Sequence, residues 1–268
     1  KTEIISNKHI IFATDNSSID IDKLEINNAS PKLTSYLNSP HYEGFVAPFN
    51  LSDASIFVSA TIETTGFWLF KDGIRKKLFD TDIEVIFGIS LSPDDSMLLV
   101  ASNKTLFIYD TQDFTLIKET LLPGQIQYAS WPVADKLLLT YTTDSNKSYA
   151  WFYQWQQEKF FKLTNHYTKS AILISEDTLL FLDDKLQLIQ KNIDSGESKP
   201  LLKLNDKSGV LWTADKNNIF YVKNTNDQYI RKISLNNFEK EVQYAVPPNR
   251  KIWDLILSNN ADNPILYT

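Results

Sequence analysis

The 268-residue chain has no cysteine, which removes disulfides, thiolate nucleophiles and cysteine-ligated zinc together. Its three histidines, His9, His41 and His166, are too far apart in sequence to form a metal pair on one element. Seven glycines leave little material for a phosphate-cradling loop or a dinucleotide fingerprint, and no Gly-x-Ser-x-Gly elbow occurs. No apolar run approaches the roughly 18 residues that span a bilayer, and none has the basic start and small-residue end of a signal peptide. Acidic residues outnumber basic ones 33 to 27, a formal net charge of −6, which argues against a surface that tracks nucleic-acid phosphates. No cofactor, metal or catalytic residue is expected. The chain begins with Lys1 rather than Met, and a processed product or excised fragment is the expectation. Freedom from cysteine suits cytoplasm and bacterial periplasm alike.

What the chain does have is a recurring unit: an apolar run, a polar turn holding an aspartate, and a second apolar run. Asp53, Asp95, Asp135, Asp177, Asp215 and Asp262 mark the turns, at spacings of 42, 40, 42, 38 and 47 residues. Asp and Asn recur there because they hydrogen-bond their own backbone and tolerate tight-turn dihedrals. The runs between are rich in Ile, Val, Leu, Phe, Tyr and Trp at strand length, with no sustained helical period. Four short strands per period of about 40 to 45 residues make one blade of a β-propeller. The expected fold is therefore all-β, a propeller of four-stranded blades, with residues 1–268 as a single domain.

The third unit is the clearest, with strands over Val85–Ser90, Met97–Ser102, Thr105–Tyr109 and Thr115–Thr120. Further inner strands are expected at Ala171–Ile174 and Val210–Thr213. Outer strands are expected at Lys32–Tyr36, Lys76–Phe79, Phe160–Leu163, Pro200–Leu204 and Lys240–Ala245. Six units carry four strands, and Lys251–Thr268 supplies only two more, Ile252–Leu257 and Pro264–Tyr267. A ring is stable only when its first and last blades meet. Seven blades is the favoured count, with Thr2–Ser6 as an inner strand; the alternative is six, with the two termini sharing the closing blade.

The turn Ser92-Pro93-Asp94-Asp95-Ser96-Met97-Leu98 and the strand Leu106-Phe107-Ile108-Tyr109-Asp110-Thr111 resemble the WD40-like repeats of TolB-type propellers. The shared pattern is a serine-proline-aspartate turn followed about a dozen residues later by an aromatic-Asp strand end. The glycine-histidine and tryptophan-aspartate signatures of eukaryotic WD40 repeats are missing; Trp253-Asp254 sits on an inner strand, out of place. The resemblance implies a scaffold or sensor: a periplasmic protein, or the sensory end of a membrane-anchored transcription regulator.

Two functional classes follow: a non-catalytic binding or sensing module, and a propeller hydrolase of lactonase type or the propeller part of a peptidase. A peptidase needs a separate α/β domain, for which there is no room, and a lactonase-type site needs polar inner strands, unlike Ala171–Ile174. The binding module is preferred, with a protein, peptide or small anionic ligand as partner. Its expected site lies in the connections that precede the inner strands, which gather on one face of a propeller. Those positions hold Glu43, Glu84, Gln125, Lys169, Lys207 and Arg250, acids in one half and bases in the other. His41-Tyr42 and His166-Tyr167 fall in the same connections. The candidate ligand-binding residues are thus His41, Glu84, His166, Lys169, Lys207 and Arg250. Tyr149, Trp151, Tyr153 and Trp155 share one strand face, and with Trp131 and Trp212 they are expected to fill the space between blades. Asp20 and Asp22 beside Asp15 are read as a solvated face, and Asp94 and Asp95 as turn formers.

Overall fold

A computed structural model describes residues 87–143, 147–204, 211–223 and 227–246 with their side chains, and elsewhere the backbones of further strands. The chain divides into two compact units, Thr81–Leu204 and Lys1–Asp80 with Asn205–Thr268. The described residues form twenty-five strands and no helix.

The unit holding both termini begins with β1 (Ile10–Ala13), β2 (Ile19–Glu25) and β3 (Leu33–Ser39). A four-stranded antiparallel meander follows: β4 (Glu43–Leu51), β5 (Ala54–Thr61), β6 (Phe67–Lys71) and β7 (Ile74–Phe79). The central unit is three such meanders. The first is β8 (Gly88–Leu91), β9 (Met97–Ser102), β10 (Thr105–Asp110) and β11 (Leu116–Leu121). The second is β12 (Gln125–Val133), β13 (Lys136–Thr142), β14 (Ser148–Gln154) and β15 (Lys159–Lys162). The third is β16 (Ser170–Ser175), β17 (Thr178–Leu182), β18 (Gln187–Asn192) and β19 (Ser198–Lys203). The terminal unit resumes with β20 (Leu211–Ala214), β21 (Asn218–Val222), β22 (Tyr229–Ser234) and β23 (Asn237–Ala245), a fifth meander, then β24 (Ile256–Leu257) and β25 (Ile265–Tyr267).

The last two strands return to the first three. Lys23, Leu24 and Glu25 of β2 pair with Tyr267, Leu266 and Ile265 of β25, and β24 pairs with β25. Because β3 lies along β2 from Ile19 to Leu24, β1 and β25 must share the opposite edge of β2, one on each half. Six sheets result among the described residues, one of them shared by strands from both ends of the chain. No described sheet represents a seventh blade, and Thr2–Ser6 lies outside the described residues.

The aspartate turns form as their chemistry dictates. Asp94 Oδ1 accepts from Ser92 Oγ at 2.6 Å, Ser96 N at 3.2 Å and Ser96 Oγ at 2.9 Å, while Ser92 Oγ accepts from Met97 N at 2.9 Å. Asp95 takes a φ of 59°, a left-handed conformation that Asp tolerates better than most residues. At the β20–β21 turn Asp215 Oδ1 accepts from Asn217 N and Asn218 N, both at 2.7 Å.

Middle strands bury both faces, so they read as continuous apolar runs rather than as alternation. Leu137, Leu138 and Leu139 of β13 are all 0% exposed. Leu137, Leu139 and Tyr141 pack with Leu99, Ala101, Leu106 and Ile108 of the preceding sheet. Leu138 points the other way, into a cluster with Ala150, Phe152, Ala171, Leu179 and Phe181. Inner strands approach closely: a Cβ on Gly88 would lie 2.9 Å from Ala129 O, and Trp131 N donates to Ser90 Oγ at 3.0 Å. Just before β12, a Cβ on Gly124 would lie 1.7 Å from Thr142 O, so only glycine fits there.

The aromatic row packs between sheets as expected. Tyr153 and Trp155 are buried, Trp155 meets Trp131 edge-on at 5.7 Å, and Tyr153 stacks on Phe160 at 4.4 Å. Trp151 stacks on Tyr141 at 5.3 Å. Tyr149 is half-buried under the Lys162 ammonium, 3.7 Å from its ring centroid. Trp212 is buried too.

Candidate binding cleft

Short β15 stops at Lys162, opposite Trp151 in the middle of β14. The chain beyond it still runs beside β14: Leu163 N donates to Ala150 O and Thr168 N to Ser148 O, each at 2.8 Å. Two buried threonines hold this segment. Ala150 N donates to Thr164 Oγ1 at 2.9 Å, Thr164 Oγ1 and Thr168 Oγ1 lie 2.8 Å apart, and Thr168 Oγ1 donates to His166 O at 3.0 Å. A hydroxyl has one proton to give. Since Thr168 gives its own to His166 O, Thr164 must be the donor between the two hydroxyls. The result is a one-directional chain of hydrogen bonds that fixes the loop and leaves Asn165 and His166 exposed.

Opposite this segment lies the β18–β19 hairpin. Its turn uses Gly196 at a φ of 77°, in open space, with Gly196 N donating to Asn192 O at 3.0 Å. Between them is a cleft of about 120 Å³ lined by Thr164, Asn165, His166, Phe181, Lys191, Gly196 and Ser198. By the two-residue period of a strand, Lys191 shares its face of β18 with Ile189. Ile189 and Ile193 on either side pack into the cluster that joins the two sheets. Lys191 instead reaches across, and its Nζ donates to Leu163 O at 2.6 Å.

Lys191 is half-buried at the cleft wall, where its one side-chain hydrogen bond among the described residues goes to a backbone carbonyl rather than to an acid. Among the described residues it makes no ion pair, and no acid lines the cleft; Asp194 and Glu197 belong to the same turn but are exposed. In a contrasting cluster on β21–β23 the buried cation is matched by two carboxylates. Buried Arg231 pairs with Asp227 and, at 3.6 Å, with Glu241, which accepts from Tyr221 OH at 2.5 Å. Burial pushes the Asp227 carboxyl up, but hydrogen bonds from Arg231 and two backbone amides outweigh it and hold the group below its usual range. Burial and the Glu241 carboxylate drive the Tyr221 hydroxyl in the opposite direction, well above its ordinary value. This network braces three strands and ties the cation to acids of its own sheet.

The cleft has an ammonium with two uncommitted protons, an imidazole, an amide and hydroxyls. It has no nucleophile set against a base, and among the described residues no three His, Asp or Glu side chains converge as a metal site. Hydrogen-bond donors of this kind are the groups that can meet an anionic oxygen. Of the predicted site residues, His166 lines it. Lys169, in the same connection, is exposed and does not; its backbone N donates to Leu182 O at 2.8 Å and starts the pairing of β16. His41, Glu84, Lys207 and Arg250 lie outside the described residues. Lys191 and Ser198 were not anticipated, because a lysine within a strand reads as solvated. Their signal is the same-face spacing of Ile189, Lys191 and Ile193, which puts a cation where apolar contacts flank it.

No family model matches the chain, and no curated protein does. Among solved structures, 1204 chains match. One is the crystal structure of a nidogen/laminin complex, 13% identical, covering 92% of this chain and 96% of the matched one with a TM-score of 0.68. The fold is that of a β-propeller. At 13% identity the likeness shows the fold alone, and a fold does not fix an activity.

Proposed function

We propose that the chain is a non-catalytic binding propeller whose partner is a protein or peptide. The observation that carries this is the donor-lined cleft, which can hold an acidic group and lacks any pairing of nucleophile and base. A propeller seen in a complex named for two proteins, nidogen and laminin, supports the reading by analogy of fold. A peptide array probed with the labelled chain tests it. Saturable binding to a sequence-related subset is expected; turnover of a lactone, ester or peptide substrate in place of binding would overturn it.

The finer reading rests on the Ser92–Thr111 pattern and its resemblance to TolB-type repeats. On that reading the chain is a periplasmic sensor domain of a membrane-anchored transcription regulator. Cell fractionation with an antibody to the chain tests the compartment, and recovery in the cytoplasmic fraction would reject it. The same reading takes residues 1–268 as one domain. Calorimetry should then show one transition, and two separable ones would break the assignment.

A further inference from the structure

We infer that the cleft between residues 163–168 and the β18–β19 hairpin is a subsite for a single carboxylate of an acidic partner peptide, gripped by the Lys191 ammonium. The inference rests on the binding reading above and adds to it the place and the chemistry of the contact.

Three observations converge. The Lys191 ammonium is held in place by Leu163 O at 2.6 Å, so little side-chain freedom remains to be lost when an anion arrives. Two of its protons are uncommitted, and the chain, at net charge −6, supplies no acid to the cleft. The remaining lining adds donors on the opposite wall at Asn165 and His166, and on the same hairpin at Ser198. Buried Phe181 lies against them, a low-dielectric surface that strengthens a charge-assisted hydrogen bond.

Size selects among anions. Pockets for drug-sized or cofactor ligands run to about 300–1,000 Å³, whereas this cleft measures about 120 Å³. A whole nucleotide or sugar acid is too large for it; an Asp or Glu side chain, or a chain-terminal carboxylate, fits. The rest of the peptide lies outside the cleft.

The experiment is an amide chemical-shift titration of the full ¹⁵N-labelled chain. The probes are a short Gly-flanked Asp-Glu peptide, its Asn-Gln counterpart, a Lys-Arg counterpart and inorganic phosphate. The acidic peptide is expected to move the amides of Asn165, His166, Gly196 and Ser198 saturably, and at least about ten-fold more tightly than the Asn-Gln peptide, the size of one charge-assisted hydrogen bond. Lys191→Met, which keeps the stem in place, should weaken the acidic peptide by about ten-fold or more. Lys191→Arg should retain part of the affinity, and the spectra themselves report whether each variant is folded. Acidic-peptide shifts elsewhere, indifferent to Lys191, would overturn the cleft and leave the binding reading standing. Shifts with phosphate alone would overturn the peptide carboxylate in favour of a small free anion. If no peptide of any charge moves an amide here or on the array, the binding reading fails as well.

Discussion

The β12–β15 sheet has two buried faces, and they are built differently. The face toward β8–β11 is aromatic: Trp131, Tyr141, Tyr153 and Trp155 interleave with aliphatic residues of β9 and β10, and across the same seam Tyr153 OH pairs with Thr120 Oγ1 at 3.2 Å. Lys118 adds an ion pair with Glu158 at 2.7 Å. The face toward β16–β19 is leaner. Leu138, Ala150 and Phe152 are its apolar residues, polar Thr140 and Ser148 are buried with them, and the cleft opens at its outer end. One face is filled by large rings, and the other leaves space and an unpaired cation. The difference shows where a rigid scaffold has room for a ligand: at the seam that packing does not close.

Truncation should expose the difference most directly. Tyr153→Ala removes a ring that is 0% exposed and stacked at 4.4 Å, from a face too tightly interlocked to collapse. A loss of about 4 kcal/mol is expected, read as a lower urea midpoint. Leu138→Ala on the opposite face, also 0% exposed, should cost less, about 2–3 kcal/mol, because small neighbours such as Ala150 and Ala171 let the site relax. A larger loss from Leu138→Ala than from Tyr153→Ala would break the comparison.

A smaller change sharpens it from the polar side. Thr140 is 0% exposed among apolar neighbours, and its Oγ1 has no hydrogen-bond partner. Thr140→Val keeps the shape and removes the hydroxyl, so the protein should gain about 1 kcal/mol. A loss of stability would show that the hydroxyl is satisfied.

Much of this fold was legible. The expected strand Met97–Ser102 has the same bounds as β9, and Thr105–Tyr109 falls one residue short of β10, because the turns that precede β9 and follow β10 are formed by neighbouring side chains. Local hydrogen bonds such as Ser92 to Asp94 are written in adjacent residues. Closure was not legible, since pairing Leu24 with Leu266 joins residues at opposite ends of the chain and no local pattern reports it. The cleft was legible by half. His166 was found by its place before an inner strand, whereas Lys191 belongs to the next sheet's third strand and meets His166 only because β15 stops short. A run such as Phe160-Phe161-Lys162-Leu163 does not announce that early stop.

The smallest expected effect lies in a turn that belongs to neither face. Asp95, half-buried beside Asp94, has its carboxyl pushed up from an ordinary 3.8 to about 6, first by burial and then by the Asp94 charge. The folded state therefore holds this proton more tightly than the unfolded chain does. The stability that the protonated form contributes is present in full below pH ~4, declines as pH rises toward 6, and is gone at neutral pH. Asp95→Asn removes the titration and suits the left-handed backbone there, where Asn is well tolerated. The variant should be more stable than the parent at pH 7 by a few tenths of a kcal/mol, a modest gain because solvent screens a half-exposed group. The advantage should shrink as pH falls to 4, and melts at a series of pH values read it out. Since the turn shares no partner with Tyr153 or Leu138, the same increment should appear in either truncated background. An advantage that depends on which face has been truncated would mean that the turn and the seams are coupled, and that the two faces are not independent.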